Sequence, residues 1–316
     1  MTFEEFVTKY DIRLNKAQME AVKSVEGPCL LLAVPGSGKT TVLVTRLGYM
    51  IYCLGIDPKR ILTLTYTVAA TKDMGERFCR FFGRELADQL EFRTINGICA
   101  RIINYYSRKI GRSSFSLCTE ETPGFLTAIY QQVTNEYPTE SDLKGVRTMI
   151  TYIKNMMLSP KEISALDETL EYSISEIYRI YQAEMRRQGL MDYDDQMIYA
   201  LNILLRDRET LTYFQQMYAY ICVDEAQDTS KIQHKIISLL ASDNENLFMV
   251  GDEDQSIYGF RAAYPEALLH FEKAHRGAKV LLMEENFRSC KQIVSPADQF
   301  IQKNEMRHKK LRGDTT

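Results

Sequence analysis

Ala33-Val34-Pro35-Gly36-Ser37-Gly38-Lys39-Thr40 puts two glycines, a lysine and two hydroxyls into one short run. Consecutive backbone N–H groups hold a phosphate only where the chain curls closely around it, which glycine permits. The lysine supplies a point charge and the threonine hydroxyl a magnesium ligand. A helix opening here would add the partial positive charge of its N-terminus. The spacing is that of G-x-x-x-x-G-K-S/T, with Ala33 at the first position, outside the tightest part of the cradle. Pro35, Gly36, Ser37, Gly38, Lys39, Thr40 and Thr41 are the expected phosphate-holding residues.

A cation at such a site needs carboxylates. Tyr220-Ile221-Cys222-Val223-Asp224-Glu225-Ala226-Gln227-Asp228 is an apolar run that ends in adjacent acids. A strand ending there would carry both to the carboxyl edge of a sheet, where α/β proteins bind ligands. Asp224 is expected to hold Mg²⁺ together with Thr40, and Glu225 to orient and polarise an attacking water.

The elements around these runs follow from their periodicity. Apolar runs at 28–34 and 61–66 read as strands. Each leads into helical spacing: Leu43, Leu47, Met50 and Ile51 after the first, then Ala70, Met74, Phe78 and Phe81 after the second. Strand, helix, strand, helix implies parallel β-α-β units and a doubly wound sheet. Between about 110 and 189 the β-rich runs become rare, and helical spacing dominates, as in Ile177, Ile180, Tyr181 and Met185. The α/β rhythm returns after Met191, with strands expected at 218–223, 247–250 and 279–283 and a helix after Ser289. The expected division is a first part at 1–109, a helical insertion at 110–190, a second part at 191–289 and, from 290 to 316, the start of a further domain or a tail.

Composition limits what such a protein can be. The chain has 316 residues, 45% hydrophobic and 26% charged, which excludes wholesale disorder. Net charge is −3, so a polyanion must be held by a local basic surface. No apolar run reaches the ~18 residues a membrane helix needs, and no membrane partner is expected. Seven scattered cysteines without a C-x-x-C argue for reduced thiols, which together with the absence of a signal pattern suggests a cytoplasmic protein.

Val250-Gly251-Asp252-Glu253-Asp254-Gln255-Ser256-Ile257-Tyr258-Gly259-Phe260-Arg261 closely resembles motif III of the UvrD/Rep family of superfamily 1 DNA helicases. The likeness extends through an ordered series. Leu14 to Val22 is similar to the family's adenine-reading glutamine motif, with Gln18 as its glutamine. Thr63-Leu64-Thr65-Tyr66 resembles motif Ia, Thr94-Ile95-Asn96-Gly97 motif Ib, and Glu285-Asn286-Phe287-Arg288-Ser289 motif IV. Met191-Asp192-Tyr193-Asp194-Asp195 is similar to the acidic-aromatic segment that leads back into the first domain. The chain departs from the family pattern at Val68, Asn96 and Thr41.

The resemblance implies a RecA-like P-loop fold with an inserted helical subdomain, and ATP and Mg²⁺ as cofactors. It assigns Gln18 to adenine and Gln255 to the γ-phosphate. Arg288 would face the transferring phosphoryl group and Phe287 the base. Tyr66, Asn96, Tyr258 and Phe260 would contact single-stranded DNA near a duplex junction, where bases can stack on aromatic rings without sequence preference. Translocation from 3′ to 5′ follows from resemblance alone. The family carries a second RecA-like domain after motif IV, and this sequence is expected to stop about where that domain begins. The expectation is therefore an incomplete motor, weak or inactive alone. The alternative is a nucleotide-regulated DNA- or partner-binding module without helicase activity.

Overall fold

The computed structural model describes residues 1–120, 123–255 and 262–303. Six strands form one parallel sheet in the order β3-β2-β6-β7-β1-β8. These are β1 (Cys29–Ala33), β2 (Ile61–Thr65), β3 (Glu91–Thr94), β6 (Tyr220–Val223), β7 (Leu247–Gly251) and β8 (Lys279–Met283). Every residue of β1, β2 and β7 is buried, as expected of central strands covered on both faces. The chain is an α/β protein of the RecA-like P-loop class.

One face of the sheet packs against the helices Ile95–Ile110, Tyr193–Arg206 and Lys231–Ala241, through Ile98, Ile102, Leu201 and Ile236 among others. The other face packs against the helices Lys39–Tyr52 and Val68–Phe82, through Leu43, Leu47, Met74 and Phe78. Phe82, rather than the expected Phe81, completes this second core. Phe81 is 40% exposed, because Met74, Phe78 and Phe82 follow the i, i+4 stripe that faces the sheet. Phe82 stacks on Phe6 at 5.7 Å and packs over Gly48, where an added methyl would run into its ring. A mid-helix glycine costs about 1 kcal/mol against alanine, which this aromatic contact offsets.

Edge strand β3 goes beyond the strands expected from the sequence. Glu91-Phe92-Arg93-Thr94 has two charged residues in four, and only its pairing with β2 makes it a strand. Residues 116–117 (β4) and 190–191 (β5) likewise form a small parallel pair that brackets the helical region. Between them, the helices Phe125–Thr134, Glu140–Asn155, Pro160–Leu166 and Ile174–Arg187 share a separate apolar core that includes Leu126, Ile150, Ile177 and Tyr181. Among the described residues, no helix is long and apolar enough to cross a membrane. The basic tail beyond Lys303 lies outside the described residues.

Candidate functional site: a phosphate cradle and an adjoining groove

Strand order decides what meets at the rim of the sheet. β6, β7 and β1 are consecutive neighbours, so their carboxyl ends place Asp224, Asp252 and the glycine loop in one row. Gly36 and Gly38 take φ of 74° and 89°, the left-handed region that glycine enters at no steric cost. The helix Lys39–Tyr52 then opens with Gly38 as its cap and no side chain on its free N–H groups. Those donors face an anion by default. Ser37 is buried and turns its hydroxyl onto the Val34 carbonyl at 2.6 Å, which closes the loop on itself.

Across the rim, Lys39 Nζ lies 3.0 Å from Glu225 Oε2. Glu225 sits in the left-handed region at φ 49°, a conformation that costs a non-glycine residue about 1 kcal/mol or more. Burial pushes its carboxyl up, but Lys39, Gln227 and Arg288 outweigh that and hold it below the usual range. Asp224 is the reverse case. Burial, then the charge of Glu225, push it up to about 6. Asp228 is likewise pushed to about 6, by burial and then by Glu225, and its buried Oδ1 has no hydrogen-bond partner among the described residues. One lysine therefore faces three carboxylates, two of them short of counter-charge.

This donor set fits a magnesium ion. Asp224 holds a poorly compensated carboxylate, and the Thr40 hydroxyl has no hydrogen-bond partner among the described residues. No cluster of three or more His, Cys, Asp or Glu side chains forms a protein-only cage among those residues. That suits Mg²⁺, which keeps waters and phosphate oxygens and takes few carboxylates.

Residues 285–289 are laced onto the loop. Asn286 Nδ2 donates to the Pro35 carbonyl at 2.7 Å, and the Phe287 N–H donates to the Gly36 carbonyl at 3.0 Å. Asn15 Nδ2 donates to Glu285 at 2.8 Å. A Cβ on Gly36 would meet Arg288 Cβ at 2.7 Å and Asn286 Oδ1 at 2.9 Å, so the Arg288 stem lies directly against the cradle. The Phe287 ring is 54% exposed.

Gln18 has two of its four hydrogen-bonding positions already taken. It caps its own helix: Oε1 accepts from the Asn15 N–H at 3.0 Å, and Nε2 donates to the Ser37 carbonyl at 2.9 Å. One amide hydrogen and one lone pair remain for a ligand. Behind it, fully buried Arg46 donates to the carbonyls of Ala21 (2.9 Å), Ser24 (2.5 Å) and Val25 (3.4 Å), and lies 4.0 Å over the Phe248 ring. It ties the Gln18 helix to the Lys39 helix.

Gln255 folds back, donating from Nε2 to Asp252 at 2.9 Å. Sequence reasoning missed Gln227, which bridges the rim: its Nε2 donates to Glu225 at 2.8 Å, and its Oε1 accepts from the Asp252 N–H at 2.9 Å. Its position two residues after the acidic pair was the available signal.

The family described as the UvrD/REP helicase N-terminal domain matches residues 14–276. This chain belongs to that family. It is similar to proteins named ATP-dependent DNA helicase PcrA. The relative from Leuconostoc citreum is 34% identical over 299 residues, covering 93% of this chain and 40% of that protein. Those from Staphylococcus aureus and Staphylococcus epidermidis are also 34% identical, each covering 94% of this chain and 41% of the relative. The chain thus spans about two fifths of the length of these curated relatives.

In this UvrD/REP-family domain, Tyr66 and Asn96 line one depression of about 560 Å³. Its opposite wall is the helix Glu140–Asn155, which contributes Lys144 and Arg147. Asn96 Nδ2 also donates to the Tyr193 carbonyl at 3.1 Å, and Tyr193 is 52% exposed beside it. Tyr258, Phe260 and Arg261 lie outside the described residues.

A buried knot holds the two walls together. Lys154 is fully enclosed, 2.5 Å from Asp192 and 2.8 Å from Asp195. Burial lowers its pKa, but the two carboxylates outweigh that and raise it. Tyr181 donates to Asp192 at 3.0 Å and Gln182 to Asp195 at 3.2 Å. Asp194 accepts from Thr151 (3.0 Å) and Asn155 (2.8 Å), yet burial and the Asp192 charge still push it to about 6.

Proposed function

We propose that this chain is the nucleotide- and single-strand-binding portion of an ATP-dependent DNA helicase. The observation that carries this reading is the 3.0 Å contact between Lys39 and Glu225, which joins the glycine cradle after β1 to the acidic end of β6. A triphosphate in the cradle would draw Lys39 away from Glu225 onto its phosphates. The freed carboxylate then accepts a hydrogen bond from the attacking water, and phosphoryl transfer depends on that positioning.

Asp224 and Thr40 would hold Mg²⁺, which supplies charge neutralisation to the phosphates when bound. Gln18, with its remaining donor and acceptor, suits the adenine edge. Gln255 and Arg288 flank the loop from β7 and motif IV, and Arg288 neutralises charge on the transferring group. The chain's own residues bind, orient and exclude, and the single strand lies in the groove of Tyr66 and Asn96. Movement along it from 3′ to 5′, the duplex junction and a second RecA-like domain belong to the same reading. The names of the PcrA relatives support it.

Isothermal titration of the purified chain with Mg²⁺ and a non-hydrolysable ATP analogue tests the assignment. Lys39→Ala is expected to weaken binding on the order of 30-fold, about 2 kcal/mol, the cost of truncating one partner of a charge pair. Unchanged affinity would contradict it.

A further inference from the structure

The helix Ile95–Ile110 starts in the groove and runs out of it. Asn96, in its first turn, lines the depression shared with Tyr66, while the next residue, Gly97, lines a second depression of about 400 Å³. The two hollows are thus lined by neighbouring residues of one helical turn. From there Gly97, Arg101, Asn104 and Arg108 follow at steps of four, three and four, a single face of the helix, and all line the second hollow. Arg93, near the end of edge strand β3, lines the same hollow.

The charge on this face is built, and it is not balanced. Glu91 is half-buried and receives hydrogen bonds from Arg93, from Arg101 and, at 2.7 Å, from the Tyr218 hydroxyl. A guanidinium has five donors, and each arginine spends only part of its set on these partners. Both side chains stay open to solvent, at 39% and 35%. Arg108 is exposed, with no charged partner among the described residues. Lys109, by contrast, turns to Asp207 and Glu209 at 2.7 and 2.8 Å and adds nothing here. Three arginines against one carboxylate leave a positive surface whose inner two members are held in place by Glu91. Tyr105 of the same helix stacks at 4.1 Å on Tyr213 of the helix Arg208–Met217, and Tyr213 is 38% exposed.

We propose that this arginine face continues the single-strand track beyond Asn96, with Arg93, Arg101 and Arg108 taking consecutive phosphates and Tyr213 offering a ring to a base. The inference rests on the reading of the Tyr66–Asn96 groove as a single-strand site. Fixed guanidinium groups match phosphate oxygens, and the spacing of a basic face beside an exposed aromatic is what sequence-tolerant strand binding uses. An acidic polypeptide would satisfy the charges without using Tyr213.

The experiment measures binding of fluorescently labelled oligothymidylates, about six and about twenty nucleotides long, to the purified chain across a salt series. The longer strand is expected to bind about tenfold tighter than the shorter after correction for the number of registers. Arg108→Glu is expected to remove most of that gain and leave the short strand's affinity in place, while Arg108→Lys keeps it. Removing one phosphate-neutralising charge should flatten the slope of log K against log salt by about 0.7. Tyr213→Ala, which leaves every charge intact, should reduce the gain by a smaller factor.

If the wild type binds the short strand but the length gain is the same in Arg108→Glu, the extension is overturned and the groove stands. If the wild type binds neither strand, both fall. Competition by polyglutamate as effective as by oligothymidylate at equal charge would also overturn it, in favour of an acidic protein.

Discussion

Among the described residues, one lysine meets three carboxylates at the sheet rim and another does so under the groove, and the two clusters are finished differently. At the sheet rim, Lys39 faces Glu225, Asp224 and Asp228, and its partner Glu225 is 39% exposed. The knot under the groove sets Lys154, at 0% exposure, against Asp192, Asp195 and the neighbouring Asp194. In the knot Tyr181, Gln182, Thr151 and Asn155 all donate to the acids. At the rim Gln227 is the main side-chain donor, an oxygen of Asp228 goes unpartnered among the described residues, and Glu225 is in a strained backbone region. A closed cluster stabilises one arrangement of two walls. An unfinished one holds charge in readiness for something else to complete it.

The contrast breaks most visibly at the lysines. Lys154→Ala leaves buried carboxylates without a counter-charge and is expected to cost about 3–5 kcal/mol, read as a fall in the urea midpoint. Lys39→Ala, at a half-open site, should move that midpoint by less than about 1 kcal/mol. Equal losses from the two substitutions would erase the distinction.

Asp194 sharpens it through pH. Its folded pKa of about 6 lies above the ordinary 3.8, so the unfolded chain gives up this proton first as pH rises. Stability from this group is present below pH about 4, declines through pH about 6 and stays lost above. Asp194→Asn has no proton to lose, so its profile should be flatter across that window, with a relative gain of about 3 kcal/mol at pH 8. Parallel denaturation profiles for the two proteins would contradict this.

A modest effect on stability concerns the cradle. Gly36→Ala forces a left-handed alanine, at about 1 kcal/mol, and presses its methyl on Arg288 and Asn286. Its larger consequence should be looser attachment of residues 285–289 and weaker nucleotide binding, measured by the same titration. Unaltered binding would mean that the segment is held by other contacts.

How much of this was readable in the letters depends on range. The cradle is local chemistry, because glycines at 36 and 38 and a lysine at 39 specify a backbone shape and a charge within a few residues. Strands β1, β2, β6, β7 and β8 announced themselves as apolar runs of strand length. What could not be read is what arrives from far along the chain. β3 exists only because β2 is its neighbour, and Phe82 replaced Phe81 because the helix phase, not the apolar count, selects the buried ring. Lys154, Arg46 and Gln227 are polar letters that a linear reading assigns to solvent. Their partners lie 38, 25 and 25 residues away.

Arg46 carries a last consequence. By gripping three carbonyls at the end of one helix from the middle of another, it makes Gln18 and Lys39 parts of a single fixed jaw, with Gln18 further pinned to the Ser37 carbonyl. The distance between whatever they grasp at its two ends is set before anything arrives, like a caliper locked at one opening. The counter-jaw is the stretch from Glu285 to Ser289, held by single hydrogen bonds at the surface. An occupant of the cradle therefore meets a fixed jaw on one side and a more lightly held one on the other.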